Sequence, residues 1–271
     1  MNVLVCWKWV ALDDDDRWAG VSAADEAALE VALTLAGEHG DDSFVTVATV
    51  GPPPADATLR DAMARGARRA VRVDSPRDLR SEAVATALAP LTVGYTWVLC
   101  GDYSLDRGSG SVPALIAAHR DIAQALGLVD VRGDGDGRLR ALRRLDGGRR
   151  EELSVTSPAV VSVEGSVARL RRASLTAELA ARTAAIELVD GPAGPRETPI
   201  EAGPYRPRAR VLPAPSGSDA LTRIRALMSS GAAVTHGENV TLDPPEAAFR
   251  IVQALRDWGY VSPLLEGTPT A

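Results

Sequence analysis

The residues best suited by type and spacing to do chemistry lie in one short loop, Asp106-Arg107-Gly108-Ser109-Gly110-Ser111-Val112. It follows an apolar run that ends at Cys100 and precedes an alanine-rich stretch. Gly108 and Gly110 free the backbone to turn its amides inward, and Ser109 and Ser111 supply hydroxyl donors. The first amides of a following helix have no intrahelical partner. Such a group binds an anion, and a phosphate fits it. The helix terminus adds a favourable field of ~0.3–1 kcal/mol for a negative group. The spacing leaves one alternative open, a Gly/Ser-rich turn that only caps the next helix.

Other constellations fail. His39, His119 and His236 are far apart in sequence and lack metal-ligand spacing. The chain has no Gly-x-Ser-x-Gly elbow, no phosphate-binding lysine after a glycine loop and no Gly-x-Gly-x-x-Gly after its first apolar run. Asp13 to Asp16 are four adjacent acids without a glycine turn, which reads as a solvated loop rather than a divalent-ion site. The expectation is a binding protein without catalytic residues or a metal.

The elements that must position the loop alternate along the first half of the chain. Residues 2–7, 43–50, 69–74 and 95–100 read as strands, and 22–40, 54–66 and 79–91 as helices, with Ser22 as N-cap and Gly40 as stop. Strand, helix, strand at this spacing means crossovers and a parallel sheet with helices on both faces. Ligands of such sheets sit at the carboxyl ends of the strands where the winding order reverses, so the loops after residues 7, 50 and 100 are the places to look. Residues 138–155 read as a hairpin turning at Asp146-Gly147-Gly148, followed by a strand over 158–163. A small antiparallel section is therefore expected.

Residues 190–217 hold seven prolines and four glycines in twenty-eight residues, the composition of a linker. Beyond them, 218–230 and 244–260 carry apolar stripes at helical spacing, the second through Ala248, Ile251, Val252, Leu255 and Trp258. The expected organisation is an α/β domain over 1–189, a Pro/Gly-rich linker over 190–217 and a C-terminal helical arm over 218–271.

A length of 271 residues with 45% hydrophobic content suffices for a good core. The net charge of -6 argues against a nucleic-acid partner. No run approaches the ~20 apolar residues of a membrane span, and the N-terminus has no basic start or small-residue cleavage site. A cytoplasmic protein is expected. Its two cysteines, Cys6 and Cys100, each end a strand-like run, where buried free thiols are common, and a structural disulfide is not expected in that compartment.

Six blocks in one order carry a resemblance: "LVCWKWV", "SAADEAALEVAL", "VATVGP", "CGDYSLDRGSGSVPALIA", "LRRLDGG" and "SPAVVSV". Over about Met1 to Val189 the chain resembles the beta subunit of electron transfer flavoproteins. That resemblance implies a non-catalytic electron-carrier subunit. It would pair with an alpha subunit that holds most contacts to a redox FAD, and would bury an AMP of its own, or a second FAD as in bifurcating members. It would help shape the site through which electrons leave a dehydrogenase. By position, the AMP contacts fall on Cys6, Ser22, Ala23, Ala24, Asp25, Val50, Gly101, Asp106, Ser109, Gly110, Ser111 and Val112. The family's partner-gripping leucine falls on Leu175.

The chain departs from the family where Asp102-Tyr103 replaces Lys-Gln, Gly108 replaces Asp, Ser111 replaces Gln, and Ser22-Ala23-Ala24 replaces Asn-Pro-Phe. These departures and the C-terminal arm resemble the branch associated with the redox peptide mycofactocin. The rival readings are a stand-alone adenine-nucleotide-binding protein of the universal-stress type and a small hydrolase or ligase on the same sheet. The latter lacks an activating base beside the loop.

Overall fold

A computed structural model describes residues 1–12, 15–77, 79–191, 219–229 and 240–258. The N-terminal run forms β1 (Asn2–Cys6), whose Val3 and Val5 enter one core while Leu4 and Cys6 enter another. A strand covered on both faces has no polar side to show, hence the continuous apolar run. β2 (Val10–Leu12) and β3 (Asp15–Gly20) then pair as a small antiparallel sheet. Asp15 and Asp16 thus belong to a strand where a loop is expected, and Asp13 and Asp14 lie outside the described residues.

α1 (Ala23–His39) starts at a complete capping box: the Ser22 hydroxyl accepts from the Asp25 amide at 3.0 Å, and the Asp25 carboxylate accepts from the Ser22 amide at 3.4 Å. Its Ala27, Ala28 and Ala32 are fully buried, small enough for close approach to the sheet. β4 (Phe44–Gly51), α2 (Asp56–Ala64), β5 (Arg69–Asp74), α3 (Ser81–Leu88) and β6 (Trp97–Gly101) follow. The 3-10 turn Ala89–Thr92, holding Pro90, ends the third helix short of the expected residue 91. The fourth helix and the strands after it are α4 (Ser111–Arg120), β7 (Ala123–Gly133), β8 (Arg138–Arg144), β9 (Arg150–Thr156) and β10 (Ala159–Val163). α5 (Leu175–Ala181) and β11 (Glu187–Asp190) close the sequence of this unit.

The large sheet runs β11-β5-β4-β1-β6-β10-β7-β8-β9, parallel from β11 through β7, with β8 antiparallel to both its neighbours. α1 and α2 cover Val3, Val5, Val45, Val47, Trp97 and Leu99 on one face. α3 and α4 cover Leu4, Ala48, Val71, Val98 and Val160 on the other. Leu4, Leu29, Leu59 and Leu99 are each 1% exposed or less, and burial of such a side chain stabilises by ~1.5–3 kcal/mol. The α/β architecture, the mainly parallel sheet and the antiparallel section all match expectation.

From β1 the chain winds through α1 to β4 and β5 on one side, then returns through α3 to β6 on the other. The order therefore reverses between β1 and β6, and their carboxyl ends diverge into a crevice. Glycine-loop chemistry falls at that place because β6 leads directly into it.

The chain falls into two units, Met1–Glu201 and Ala202–Ala271. In the second, the described helices are α6 (Ala220–Ser229) and α7 (Pro244–Asp257). Asp243 caps α7, its carboxylate accepting from the Glu246 amide at 2.9 Å. Of the proline-rich segment, residues 192–217 lie outside the described residues, as does residue 218 of the arm.

Candidate functional site

The crevice at the carboxyl ends of β1, β4 and β6 opens into a cleft of about 860 Å³, including the part open to solvent. Two glycines set its shape. At Gly101, the last residue of β6, a Cβ would lie 2.7 Å from the Asp25 amide nitrogen and 2.8 Å from its Oδ1. Only glycine lets the start of α1 come this close to the strand. At Gly110, φ is +55° and a Cβ would lie 2.0 Å from the Asp102 carbonyl oxygen, so the loop folds back on its own beginning. Gly110 is the N-cap of α4 and makes no side-chain cap. The neighbouring Ser109 and Ser111 hydroxyls lie 3.2 Å apart in mutual hydrogen bonding. Two hydroxyls and a helix N-terminus therefore share one wall of the cleft.

Beneath this wall Asp25 ties three segments together. Its Oδ2 accepts from the amides of Lys8 and Ser22 and its Oδ1 from that of Gly101, at 3.3–3.4 Å. Its carbonyl accepts from the Trp7 indole at 2.7 Å. Burial pushes the Asp25 carboxyl up to about 7, against the lowering effect of the Ser22, Lys8 and Gly101 hydrogen bonds. At the mouth, Lys8 Nζ donates to both oxygens of Asp106 at 2.7 Å. Desolvation would raise the Asp106 carboxyl, but the hydrogen bonds from Lys8 and Ser104 outweigh it and hold the group below its ordinary value. Asp106 therefore stays ionised and neutralised, leaving the nest without an unbalanced negative charge. The Arg77 guanidinium stacks 5.0 Å over the Trp9 ring on the same cleft. Asp102 has a buried Oδ1 without a hydrogen-bond partner, and burial followed by repulsion from Glu164 raises its carboxyl.

The cleft brings together Cys6, Asp25, Val50, Gly101, Asp106 and the run Ser109 to Val112. Ser22, Ala23 and Ala24 are not among its lining residues: Ser22 and Ala24 are buried at the start of α1, and Ala23 points to solvent. Lys8, Trp9, Arg77 and Arg107 line it too. The loops after residues 7 and 100 direct attention to Lys8, Trp9 and Arg107, but Arg77 follows a strand not marked for its loop.

Leu175 opens α5 and is 76% exposed, with Leu179 one turn on at 52%. The segment before them is anchored to α1, where the Arg171 guanidinium and amide both bond Glu30 at 2.8–3.1 Å. Desolvation of Glu30 is outweighed by Arg171, which holds the carboxyl below its usual value. The leucines therefore form a fixed apolar ridge on the outside. His39 and His119 are exposed, and His236 lies outside the described residues. Among the described residues no group of three or more His, Cys, Asp or Glu is placed to hold a metal ion, and no helix is long and apolar enough to cross a membrane.

Residues 10–193 match the family model described as the electron transfer flavoprotein domain. The chain is 29% identical over 183 residues to the electron transfer flavoprotein subunit beta of Methylophilus methylotrophus, covering 66% of this chain and 69% of that one. It is 31% identical over 191 residues to the subunit of the same name from Mycobacterium tuberculosis, covering 65% and 71%. Protein FixA of Sinorhizobium fredii is 33% identical over 181 residues, covering 62% and 61%. With the fold, the switch-point cleft and the order of blocks in agreement, the chain belongs to the beta-subunit family of electron transfer flavoproteins.

Proposed function

We propose that this chain is the beta-type half of a heterodimeric electron carrier. It pairs with an alpha-type subunit, holds AMP in the cleft at the ends of β1, β4 and β6, and helps form the FAD site that relays electrons from a dehydrogenase. The observation that carries the nucleotide reading is the wall at Gly110, where the Ser109 and Ser111 hydroxyls meet the N-terminus of α4 at the switch point.

The residues present fit a nucleoside monophosphate. Ser109, Ser111 and the first amides of α4 would hold the phosphate. Lys8 is close by and already balances Asp106. Val50, Val84 and Leu88 give the cleft an apolar lining suited to a purine base. The role of this nucleotide is structural: it fills a cleft bounded by the β1 loop, the β6 loop and α4, and so fixes the edges that a partner subunit would meet. A flavin bound in the heterodimer supplies the redox chemistry.

Mass spectrometry of small molecules released on denaturing the purified heterodimer tests the nucleotide reading. Wild type is expected to release AMP in stoichiometric amount. Gly110→Asp, whose Cβ would meet the Asp102 carbonyl and so force the loop open, and the double variant Ser109→Ala with Ser111→Ala are expected to release less. A wild-type complex that releases no adenine nucleotide, or variants that release as much as wild type, would reduce the loop to a helix cap.

A further inference from the structure

We propose that Cys6 and Cys100 form a redox-active dithiol in the floor of the cleft, which hydrogen peroxide closes to a disulfide. They are the only two cysteines in the chain, 94 positions apart in sequence. The parallel ladder nevertheless puts them in direct register, Cys6 opposite Cys100, at the carboxyl ends of β1 and β6. Both side chains enter the same core, on the face covered by α3 and α4. Neighbouring strands are about 4.8 Å apart, inside the ~4.4–6.8 Å range of Cα separations that a disulfide spans. Both cysteines are free, and each is 6% exposed or less, yet both line the cleft, so a molecule as small as peroxide reaches them from the solvent side.

The local chemistry gives the two sulfurs different roles. A hydrogen bond with Cys6 raises the Cys100 thiol well above its ordinary value, with burial and the charges of Cys6 and Asp25 adding to it. A bond that favours the protonated form of Cys100 makes Cys100 the donor and the Cys6 sulfur the acceptor. Cys100 is thereby held protonated, which leaves the first attack to Cys6. The Cys6 thiolate attacks one peroxide oxygen, the O–O bond breaks, and the products are a Cys6 sulfenic acid and hydroxide, which the proton lost by Cys6 converts to water. The Cys100 sulfur then attacks the Cys6 sulfur, the S–O bond breaks, and the second water leaves with the Cys100 proton. Two sulfurs are each oxidised by one electron, and one peroxide is reduced to two waters. Asp25, a buried acid that accepts from the amide of Gly101 beside Cys100 and whose charge acts on Cys100, takes up and passes on the proton from Cys100.

The proposal does not depend on which ligand fills the cleft. The test is peroxide titration of the reduced full chain, followed by alkylation, non-reducing peptide mapping and intact mass. The expected product is a monomer that has lost two hydrogens, with Cys6 and Cys100 joined, formed before any sulfinic acid and fully reversed by a dithiol reductant. Cys6→Ser, whose native fold is checked by circular dichroism, is expected to keep Cys100 reduced at the peroxide dose that closes wild type. Retention of both thiols by the native chain, at a dose that oxidises the denatured chain, would overturn the proposal. So would sulfinic acid or an intermolecular dimer as the main product. In a parallel sample, saturating AMP is expected to slow closure. Closure at an unchanged rate would count against AMP in this cleft while leaving the dithiol standing.

Discussion

Gly108 and Gly110 allow the loop geometry to be tested by a matched pair of substitutions. Both are left-handed, at φ +62° and +55°. An alanine at either position pays the same backbone cost, ~1–2 kcal/mol, partly offset by ~0.4–1 kcal/mol from a less flexible unfolded chain. Their surroundings differ. Nothing lies within 4 Å of a Cβ at Gly108, whereas a Cβ at Gly110 would lie 2.0 Å from the Asp102 carbonyl oxygen. Gly108→Ala should therefore cost about 1 kcal/mol or less. In Gly110→Ala a backbone oxygen must move by about an ångström, and overpacking of this kind adds ~1–3 kcal/mol or more. For a unit of this size the first corresponds to a fall of at most about 2–4 °C in melting temperature, and the second, at about 2–4 kcal/mol in all, to about 4–16 °C. Thermal melts of the two variants beside wild type, in the same purified complex, measure the difference. Equal shifts would mean that the loop does not close on Asp102 as described.

Three further outcomes follow from the same geometry. Asp25 has a folded-state value of about 7 against 3.8 in the unfolded chain, so its contribution is fully present below about pH 4 and is lost as pH rises through 7. Melts from pH 4 to 8 should show wild type falling relative to Asp25→Asn by up to about 4 kcal/mol, and parallel curves would refute the buried-acid assignment. Leu175→Ala, at the exposed position where the resemblance places the partner-gripping leucine, should leave the melting temperature and flavin spectrum unchanged while weakening affinity for the proposed dehydrogenase partner about thirtyfold; a large drop in stability with unchanged electron-transfer kinetics would end the assignment of Leu175 as a partner anchor. Arg72 is buried and bonds Asp56 at 2.7 Å, the Gly51 carbonyl at 3.1 Å, and Asp74. Arg72→Met should destabilise by about 3 kcal/mol, less than a fully buried pair because Asp74 is half exposed, and urea titration would show it.

The parts of this fold that were legible in the sequence are those with one dominant physical signal. β1 and β6 are buried on both faces, so their apolar runs stand out, and α1 is bracketed by Ser22 and Gly40. β7 has no counterpart among the expected strands because it is half exposed and carries polar residues from Gln124 to Arg132. β11 is four residues long and sits at the sheet edge beside β5, where its Glu and Asp are tolerated. The hairpin of β2 and β3 was masked by its acidic stretch. At the cleft, the glycine loop was readable from residue types alone. The Lys8–Asp106 pair and the stacking of Arg77 on Trp9 were not, because the topology joins segments far apart in the chain. By residue type Asp25 is an acid in a first helical turn, and only the resemblance directs attention to it. Its burial comes from the close approach that Gly101 permits.

The central claim is that this chain is the beta-type half of a flavin-bearing heterodimer, and the absorbance spectrum of purified material tests it most directly. The full chain co-expressed with an alpha-type subunit is expected to yield a yellow one-to-one complex, and the chain expressed alone to carry little or no flavin. A monodisperse, flavin-saturated homodimer of this chain alone would contradict it.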